Sequence, residues 1–407
     1  MKKLLWISMC APIPKSPHAG GQTFQYYYNN MIKTGDWEIT LICKVLDNEI
    51  DLEKTIESNG TNIYIYKSKG IRRLLDIAIS IPTKINFKSR FGNTLLYATY
   101  LEYRKKLIKL SKSVYKPDVV IFEWGQMLPL IKYVKKLFPY AKLVASEHDV
   151  MFLGYFRNSE AEKNPIKHFI KKERYKSIKK NELSYLNKCD LVFTHNTKDL
   201  DLLKNEKVNC DLDWLVPKYS VRANYRTTPT NTVVFFGDMS RYENYISALW
   251  FIDNVLPLLS DHDVNFLVIG NKPNQELINK SGANVEVLGY VEDLDSVFSS
   301  CLCMVAPLLL GAGVKVKVIE AMASGVPVIT NDIGIEGIPA VSGKDYINCD
   351  TADEYAEAII SLLNNSALGE DISISGKRCI DNSFNLRASF INYNKHIKSE
   401  LDKPKLL

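Results

Sequence analysis

The chain has 407 residues, of which 46% are hydrophobic and 24% charged, and its formal net charge is +6. This length exceeds what one hydrophobic core usually fills, so we expect two domains of ordinary size. The sequence contains no low-complexity tract or blocky repeat, which excludes a fibrous or disordered protein. Its eight cysteines show neither metal-ligand nor disulfide-framework spacing, and we interpret them as reduced core residues.

The amino terminus, MKKLLWISMCAPIPK, combines two lysines with a short apolar run, as a secretion signal does. Two prolines interrupt the run and no clean cleavage site follows it, so a first buried strand is the stronger interpretation. No stretch of the sequence approaches the ~20 apolar residues that a membrane-spanning helix needs. We therefore expect a cytoplasmic protein, either free or peripheral on the inner face of the cytoplasmic membrane.

Charge is divided unevenly along the chain. Residues 1–215 carry 36 lysines and arginines against 23 acidic residues, whereas the remainder carries 16 against 23. The basic residues concentrate in three helical stretches, Lys84–Lys116, Lys132–Lys142 and Lys163–Lys180. They either solvate helix faces or attract an anionic membrane surface, where aromatic side chains would insert. The candidates for insertion are Phe87, Phe91, Tyr100, Tyr103, Phe138 and Phe169. No nucleic-acid module accompanies the charge, so nucleic acid is not an expected partner.

Short apolar runs alternate with amphipathic helical stretches along most of the chain, which is typical of parallel βαβ units in a doubly wound sheet. In the first half, the pattern predicts strands at Leu4–Met9, Glu38–Cys43, Asn62–Tyr66, Val119–Glu123, Leu143–Glu147 and Leu191–His195, with helices that include Thr94–Val114 and Glu173–Asn187. In the second half, it predicts strands at Thr232–Phe236, Asn265–Ile269, Val285–Leu288, Met304–Ala306 and Val326–Thr330. Helices are expected there at Tyr242–Leu259, Leu294–Ser299, Lys317–Ala323, Thr351–Leu363 and Leu386–Leu401.

The alternation breaks at Asp211–Thr230, which has two prolines, several turn formers and no sustained period. Such a segment is typical of an interdomain linker. We therefore predict an α/β protein with Rossmann-like domains at residues 1–213 and 231–383, joined by a linker at 214–230. The last helix, residues 384–407, is expected to pack back on the first domain.

In open parallel sheets, ligands bind beyond the carboxyl ends of the strands. Gly20 and Gly21 follow the first predicted strand and precede a helical stretch that begins near Thr23. A glycine pair there lets a phosphate or a sugar approach free backbone N–H groups, although many such pairs are plain turns. The chain contains neither a GxGxxG nicotinamide fingerprint nor a Walker motif.

Two neighbouring strand ends carry further candidates. The fifth predicted strand ends in Glu147-His148-Asp149, and His148 is either a substrate contact or a structural histidine. Glu123 and Trp124 end the preceding strand, where packing is at least as strong an interpretation as a role on the acceptor side. His18, in the loop after the first strand, could act as a general base.

The strongest local pattern is Pro307–Gly337, PLLLGAGVKVKVIEAMASGVPVITNDIGIEG. Small residues lead into a helix whose free N–H groups would favour an anion. Lys315 and Lys317 could neutralise a diphosphate there, and Glu320 could accept hydrogen bonds from a ribose diol. By itself, a lysine three residues before a glutamate is an ordinary solvated pair.

This segment resembles the donor-binding signature of retaining glycosyltransferase family 4, also called glycosyl transferases group 1, in the branch with the motif GxGxxxKxxEAMAxGxPVV. The Gly-Gly loop, the Glu147-His148-Asp149 strand end, the opening VVFFGDMSRYENYISALWF and the IGIEG stretch are similar too. The resemblance implies a GT-B fold, in which two Rossmann-like domains face each other across a cleft. The first domain would bind the acceptor and the second the nucleotide sugar.

The resemblance also implies the reaction. A sugar would move, with retention, from a nucleotide-diphosphate sugar to a hydroxyl of a glycan or lipid-linked acceptor, in the synthesis of surface polysaccharide or glycoconjugate. No metal or other cofactor is expected. Glu320 would bind the ribose and His148 the transferred sugar, so that His148, Lys317 and Glu320 are the catalytic candidates. The donor-binding candidates are Gly20, Gly21, Gly237, Arg241, Gly311, Ala312, Gly313, Val314, Lys315, Lys317 and Glu320, and those on the acceptor side are His18, Glu123 and Trp124.

The sequence departs from the family pattern at two points. The Glu-x7-Glu pattern needs a carboxylate where Ala312 stands, and the arginine and lysine of the GRLxxxKG opening correspond to Asp238 and Glu243. We therefore predict that Lys317, helped by Lys315 and Arg241, takes over the phosphate charge. Three alternatives stay open, namely inverting transfer with His18 as base, an epimerase or hydrolase on the same fold, and a non-catalytic nucleotide-sugar-binding protein.

Overall fold

The computed structural model describes residues 1–14, 16, 19–45, 61–68, 70–86, 97–223, 225–311 and 313–404. The chain forms two compact units, the first comprising Met1–Lys218 with Leu386–Leu407 and the second comprising Tyr219–Asn385. The boundary between Lys218 and Tyr219 lies within the predicted linker. Among the described residues, no helix is both long and apolar enough to cross a membrane.

The first unit is built on a parallel sheet of seven strands in the order β3-β2-β1-β4-β5-β6-β7. The strands are β1 (Lys2–Ser8), β2 (Trp37–Val45), β3 (Asn62–Lys67), β4 (Val119–Glu123), β5 (Lys142–Glu147), β6 (Leu191–Thr194) and β7 (Asp211–Trp214). Strand order reverses between β1 and β4, and ligands of doubly wound sheets bind beyond the strand ends at such a switch point.

Helices cover both faces of this sheet. They are α1 (Ala19–Lys33), α2 (Gly70–Ile85), α3 (Tyr97–Ser111), α4 (Ile131–Leu137), α5 (Met151–Glu160), α6 (Pro165–Leu186) and α7 (Thr197–Asn205), with a 3-10 helix at Gly125–Leu130. Alternate strand residues enter two separate cores. Leu5 and Ile7 of β1 pack on one face with α3 and α4, whereas Leu4 and Trp6 pack on the other with α1.

The second unit has a parallel sheet of six strands in the order β10-β9-β8-β11-β12-β13. Its strands are β8 (Thr232–Phe236), β9 (Asn265–Ile269), β10 (Val285–Leu288), β11 (Cys303–Ala306), β12 (Val328–Thr330) and β13 (Ile347–Asn348). Its helices are α8 (Tyr242–Asn254), α9 (Gln275–Ile278), α10 (Asp295–Ser300), α11 (Val316–Ala323), α12 (Ala352–Asn364) and α13 (Ser366–Ser383), with a 3-10 helix at Leu256–Leu259. The predicted class, two parallel α/β domains, is confirmed.

The last helix, α14 (Leu386–Asp402), belongs to the first unit. Its Tyr393 and Ile397 are buried in the core beside α1. The side chain of Asn394 accepts a hydrogen bond of 2.9 Å from the indole N–H of Trp37, and Lys398 forms an ion pair with Asp36. Apolar burial and polar contacts together fix α14 on this unit.

Several sequence expectations need correction. Gly20 and Gly21 do not precede α1 but lie in its first turn. The chain was expected to be irregular from Asp211, but residues 211–214 form the edge strand β7. Of the aromatic residues predicted to insert into a membrane, Tyr100, Tyr103 and Phe138 are buried, because they form part of the α3 and α4 core. Phe169 is exposed. Phe87 and Phe91 lie outside the described residues.

Candidate functional site

The phosphate-binding candidate of the second unit is the segment that leads from β11 into α11. Gly313 adopts φ 70°, a conformation that L side chains rarely take, so this position favours glycine. A side chain at Gly311 would approach within 2.9 Å of Cε of Lys315. Gly311 has a positive φ as well, 152°, so both positions favour glycine through their backbone conformation. Val314 is half-buried, and Ala312 lies outside the described residues.

Lys317 lies in the first turn of α11. Its Nζ donates a hydrogen bond of 2.8 Å to Oδ1 of Asn244 and lies 4.4 Å from the ring centroid of Phe235. Among the described residues, no carboxylate lies within ion-pair distance of this amine. Burial, followed by the charges of Lys315 and Arg241, lowers the pKa of Lys317 to about 7. An amide rather than a carboxylate therefore holds the amine in place.

The other two basic candidates are already paired. Nζ of Lys315 donates to the carbonyl of Gly313 and lies 3.5 Å from a carboxylate oxygen of the buried Glu336. Arg241, at the amino terminus of α8, forms an exposed ion pair with Glu243. Lys317 is therefore the cation of this segment that is best placed to meet a new anion.

Glu320 faces the segment that opens the second unit. It is only 4% exposed, and its Oε1 accepts a hydrogen bond of 2.9 Å from the backbone N–H of Ser220. The guanidinium of Arg222 donates twice to Oε2, at 3.1 and 2.9 Å. The carboxylate that was predicted to accept hydrogen bonds from a ribose diol is thus already engaged, by Ser220 at Oε1 and by Arg222 at Oε2. Any ligand of Glu320 must therefore share it with Arg222 or displace that residue.

In the first unit, the candidates gather at the switch point between β1 and β4. Nε2 of His148 lies 2.7 Å from Oε1 of Glu123. The same oxygen accepts a hydrogen bond from Ser146, and Oε2 accepts one from the indole of Trp6. Glu123 is only 2% exposed, because these donors and the surrounding core enclose it. Glu123, which was predicted for the acceptor side, is thus enclosed and contacts the His148 ring.

The proton positions on His148 follow from this bond. Burial raises the pKa of Glu123 to about 7, although the hydrogen bonds from Trp6 and Ser146 act in the opposite direction. When Glu123 is ionised, Nε2 of His148 must carry the proton that it donates. Nδ1 of His148 then faces the first turn of α1, where a side chain at Gly20 would come within 3.1 Å of it.

The His148 ring is clamped between two others. It stacks on Trp124 at 4.4 Å between centroids and on His195 at 4.1 Å. Trp124 adopts φ 69° and ψ 140°, a region that bulky residues almost never occupy. Such strain persists only where the surroundings enforce it and concentrates at functional sites. Gly20, Trp124 and His148 therefore form one local cluster, whereas His18 lies outside the described residues.

A metal ion does not fit this cluster. Glu123, His148 and His195 each offer a ligand atom within 4.8 Å of the others. The two imidazole planes, however, are stacked with an angle of 17° between them, and nitrogen lone pairs lie in the ring planes. They cannot converge on one ion, as the tetrahedral ligands of zinc do. Nδ1 of His195 is buried and has no hydrogen-bond partner among the described residues. Burial lowers its pKa well below the usual range, so the ring is neutral.

Part of the second unit matches a known protein family. Residues 230–365 match the family model of glycosyl transferases group 1. This stretch is a glycosyl transferases group 1 domain. It contains Gly311, Lys317 and Glu320, so the residues of the donor-binding signature lie inside the matched region.

Two curated relatives resemble parts of the chain. One is an uncharacterized 44.6 kDa protein in the cps region of Klebsiella pneumoniae, 23% identical over 224 residues, which cover 49% of this chain and 58% of that one. Another is a phosphatidyl-myo-inositol mannosyltransferase of Mycobacterium leprae, 26% identical over 158 residues, which cover 37% of this chain and 41% of that one. The chain thus matches only about half the length of these relatives.

Solved structures resemble nearly the whole chain. Sucrose-phosphate synthase from Thermosynechococcus elongatus has a TM-score of 0.70 at 14% identity, covering 98% of this chain and 99% of that one. TarM has a TM-score of 0.68 at 14% identity over the same shares. Anabaena HepE in complex with UDP has a TM-score of 0.67 at 11% identity, covering 98% of this chain and 100% of that one. These likenesses show the GT-B fold that the sequence predicts.

Four residues around the glycosyl transferases group 1 domain and the His148 cluster were not foreseen as site residues. Arg222 and Glu336 pair with the predicted Glu320 and Lys315, and Asn244 orients Lys317. His195 packs on His148. Local sequence patterns cannot assign these pairs, because tertiary folding brings together residues that lie 21 to 98 positions apart.

Proposed function

We propose that the chain is a glycosyltransferase that moves a sugar from a nucleotide-diphosphate sugar to a hydroxyl of a glycan or lipid-linked acceptor. One observation carries the proposal. Within a glycosyl transferases group 1 domain, the Lys317 amine lies at the start of a helix, with a lowered pKa and an amide rather than a carboxylate as its partner. A cation in that state gains most from an anionic ligand.

The amine of Lys317 would bind the diphosphate of the donor. When a sugar leaves a nucleotide diphosphate, negative charge grows on the departing phosphate oxygens. An ammonium group aimed at them stabilises that charge, and one such donor contributes about 3 kcal/mol to lowering the barrier. Lys317 takes up a proton as the diphosphate arrives, since the anion raises its pKa again. The free N–H groups at the start of α11 add to the field.

The donor ribose is assigned to Glu320. Its carboxylate already accepts hydrogen bonds from Ser220 and Arg222, so a ribose hydroxyl would share the carboxylate with Arg222 or take the place of that residue. Anabaena HepE has been solved with UDP and with UDP-glucose, which supports a nucleotide-sugar donor.

His148 is proposed to contact the transferred sugar. Because Glu123 fixes the proton on Nε2, Nδ1 is the acceptor nitrogen of the ring, and a sugar hydroxyl is the donor proposed for it in the complex. The stacked Trp124 and His195 hold the ring at one angle, which preorganises that contact. No step of this scheme requires a metal, and we expect activity to survive treatment with EDTA.

Retention of anomeric configuration and a role in surface polysaccharide synthesis complete the proposal. Retention follows from the family resemblance, and the second point is supported by the relative from a cps region. NMR of the product linkage tests retention, because a product with the configuration opposite to that of the donor would establish inversion.

The enzymatic proposal is tested by transfer assays with a panel of nucleotide sugars, comparing wild type with Lys317→Ala and with Lys344→Ala. Lys344 is an exposed lysine of the same unit and serves as a matched control. We expect Lys317→Ala to lose transfer activity on the order of 100-fold and Lys344→Ala to retain it. Full activity of Lys317→Ala would refute the proposal. Consumption of donor without any acceptor would favour a hydrolase or an epimerase instead.

A further inference from the structure

Helix α2 is oriented with its apolar side toward solvent. Ile71 and Leu74 are 78% and 67% exposed, and most of the other large apolar side chains of the helix are exposed as well, namely Leu75, Ile77, Ile79 and Ile81. Its buried residues are polar instead, since Asp76 and Ser80 are both fully enclosed. An ordinary surface helix shows the opposite arrangement.

Polar contacts hold the helix in this orientation. The carboxylate of Asp76 accepts hydrogen bonds from the hydroxyl groups of Tyr66 and Ser68. The hydroxyl of Ser80 donates to the carbonyl of Asp76 and accepts from the backbone N–H of Ala98. A rotation that hid the apolar side would break these bonds and expose the groups that make them. The outward orientation of the apolar face is therefore fixed by buried hydrogen bonds.

The width of the apolar face and its borders indicate what covers it. At about 100° per residue, the apolar side chains occupy roughly 200° of the helix circumference. Arg72, whose guanidinium pairs with Asp76 and Glu102, lies at one edge of this arc and Arg73 at the other, and both side chains are exposed. A broad apolar face bordered by basic residues is typical of helices that lie in the interface of a membrane.

Charge on the rest of the unit points to an anionic surface. The first unit contains 42 lysines and arginines against 25 acidic residues, whereas the second contains 10 against 21. Helix α6 of the same unit also exposes Ile166 and Phe169 beside the exposed Lys167. Basic side chains near a membrane gain free energy from anionic lipid headgroups, and this gain is screened by salt.

We propose that α2 lies in the headgroup region of an anionic membrane, with Ile71, Leu74, Leu75 and Ile81 at the acyl boundary. A bilayer can enclose an apolar arc wider than half a helix, whereas a flat protein surface covers only part of it. Of the earlier aromatic candidates, Tyr100, Tyr103 and Phe138 are buried in the core, whereas Phe169 of α6 is exposed. The inference goes beyond the proposed reaction and does not depend on it, because it concerns binding and not turnover.

The test is sedimentation of the full chain with vesicles of phosphatidylcholine, either alone or with phosphatidylglycerol added. Wild type is compared with the double variant Leu74→Gln/Ile81→Gln and with the control Ile374→Gln, which changes an exposed isoleucine of α13. We expect salt-sensitive binding to the anionic vesicles, weakened about tenfold for each apolar side chain removed from α2. The control should bind as wild type does. Since all three side chains are exposed, each variant should keep its thermal stability.

A second readout is Leu74→Trp, whose fluorescence should shift to shorter wavelength on anionic vesicles as the indole leaves water. Two results would overturn the proposal. One is that the wild type does not bind anionic vesicles, or that the double variant binds them as tightly as the wild type does. The other is a wild-type dimer, seen by light scattering, that the double variant converts to monomer, because the face would then be an interface between copies.

Discussion

The Nζ atom of Lys317 lies 2.8 Å from Oδ1 of Asn244, and this amide is its polar partner among the described side chains. An amide oxygen orients an ammonium group but does not neutralise it. The cost of burying the amine therefore appears as a pKa lowered to about 7. Lys317 therefore destabilises the free protein, whereas in a complex its charge would stabilise a bound anion.

Replacing Lys317 with methionine should raise the melting temperature of the free protein. The group has its ordinary pKa of 10.5 when unfolded and about 7 when folded, so the unfolded chain binds more protons between these values. Wild-type stability attributable to this residue therefore rises with pH from about 7 to 10.5. We expect the gain of Lys317→Met to be largest below pH 7 and to vanish toward pH 10. Thermal denaturation across this range, with Lys344→Met as control, measures it, and an equal gain at every pH would contradict the assignment.

Binding of a nucleoside diphosphate should take up a proton at pH 8. Free Lys317 is mostly neutral there, and the anion restores its charge, so affinity should weaken as the pH rises above 7. Calorimetric titration in buffers of different ionisation enthalpy counts the protons. Lys317→Met corrects for any protonation of the phosphate itself. Equal proton uptake by wild type and variant would show that another group titrates.

The hydrogen bond between Glu123 and His148 predicts that the pH profile of the transfer rate has an acid limb, in which the rate falls at low pH. Glu123 must be ionised to accept the Nε2 proton of His148, so the rate should fall as the pH drops through about 7. Glu123→Gln should lower kcat about 10- to 100-fold, leave the KM for donor nearly unchanged and remove this limb. A suitable control is Glu182→Gln, which changes a buried glutamate of the same unit that binds the backbone N–H groups of Met151 and Phe152.

The control should retain the acid limb of wild type. The protonated nitrogen of His148 can also be identified by nitrogen-15 NMR, which should report a proton on Nε2 in wild type and a mixture of tautomers in Glu123→Gln. A variant with normal kcat, or with the same imidazole spectrum as wild type, would assign Glu123 to packing alone.

Arg222 and Glu320 predict how the ribose is recognised. If a ribose hydroxyl donates to Glu320, wild type should bind a nucleoside diphosphate more tightly than its 2′,3′-dideoxy form. Glu320→Gln should reduce this difference by about 1 to 3 kcal/mol, the range for a hydrogen bond to a charged group. Arg222→Met should lower the melting temperature of the free protein, because it leaves the buried carboxylate without its ion-pair partner. Undiminished discrimination in Glu320→Gln would place the ribose elsewhere.

Much of the fold could be predicted because the strands are short apolar runs with clear borders. Val119–Glu123 and Thr232–Phe236 were predicted to the residue. Strand β7 was missed since DLDW contains two acidic residues, which strands usually avoid. Helix α2 was missed because Pro82 interrupts its sequence and its apolar side faces away from the core.

The candidate site was only partly predictable for a different reason. Lys317 and Glu320 lie in one recognisable sequence motif, and its glycines indicate that a ligand can approach the backbone closely. Their partners, Asn244 and Arg222, are 73 and 98 residues away in the chain. Only the folded sheet brings them within hydrogen-bond distance, so the sequence alone could not reveal that Glu320 is ion-paired with Arg222.

The central claim is that a nucleotide diphosphate binds against the start of α11. Calorimetric titration of wild type, Lys317→Ala and Lys344→Ala with a panel of nucleoside diphosphates and the matching nucleosides tests it most directly. The account predicts that at least one diphosphate binds wild type and Lys344→Ala equally and binds Lys317→Ala on the order of 100-fold more weakly. The matching nucleoside should not distinguish the three proteins. A diphosphate that binds Lys317→Ala as tightly as wild type would contradict the claim.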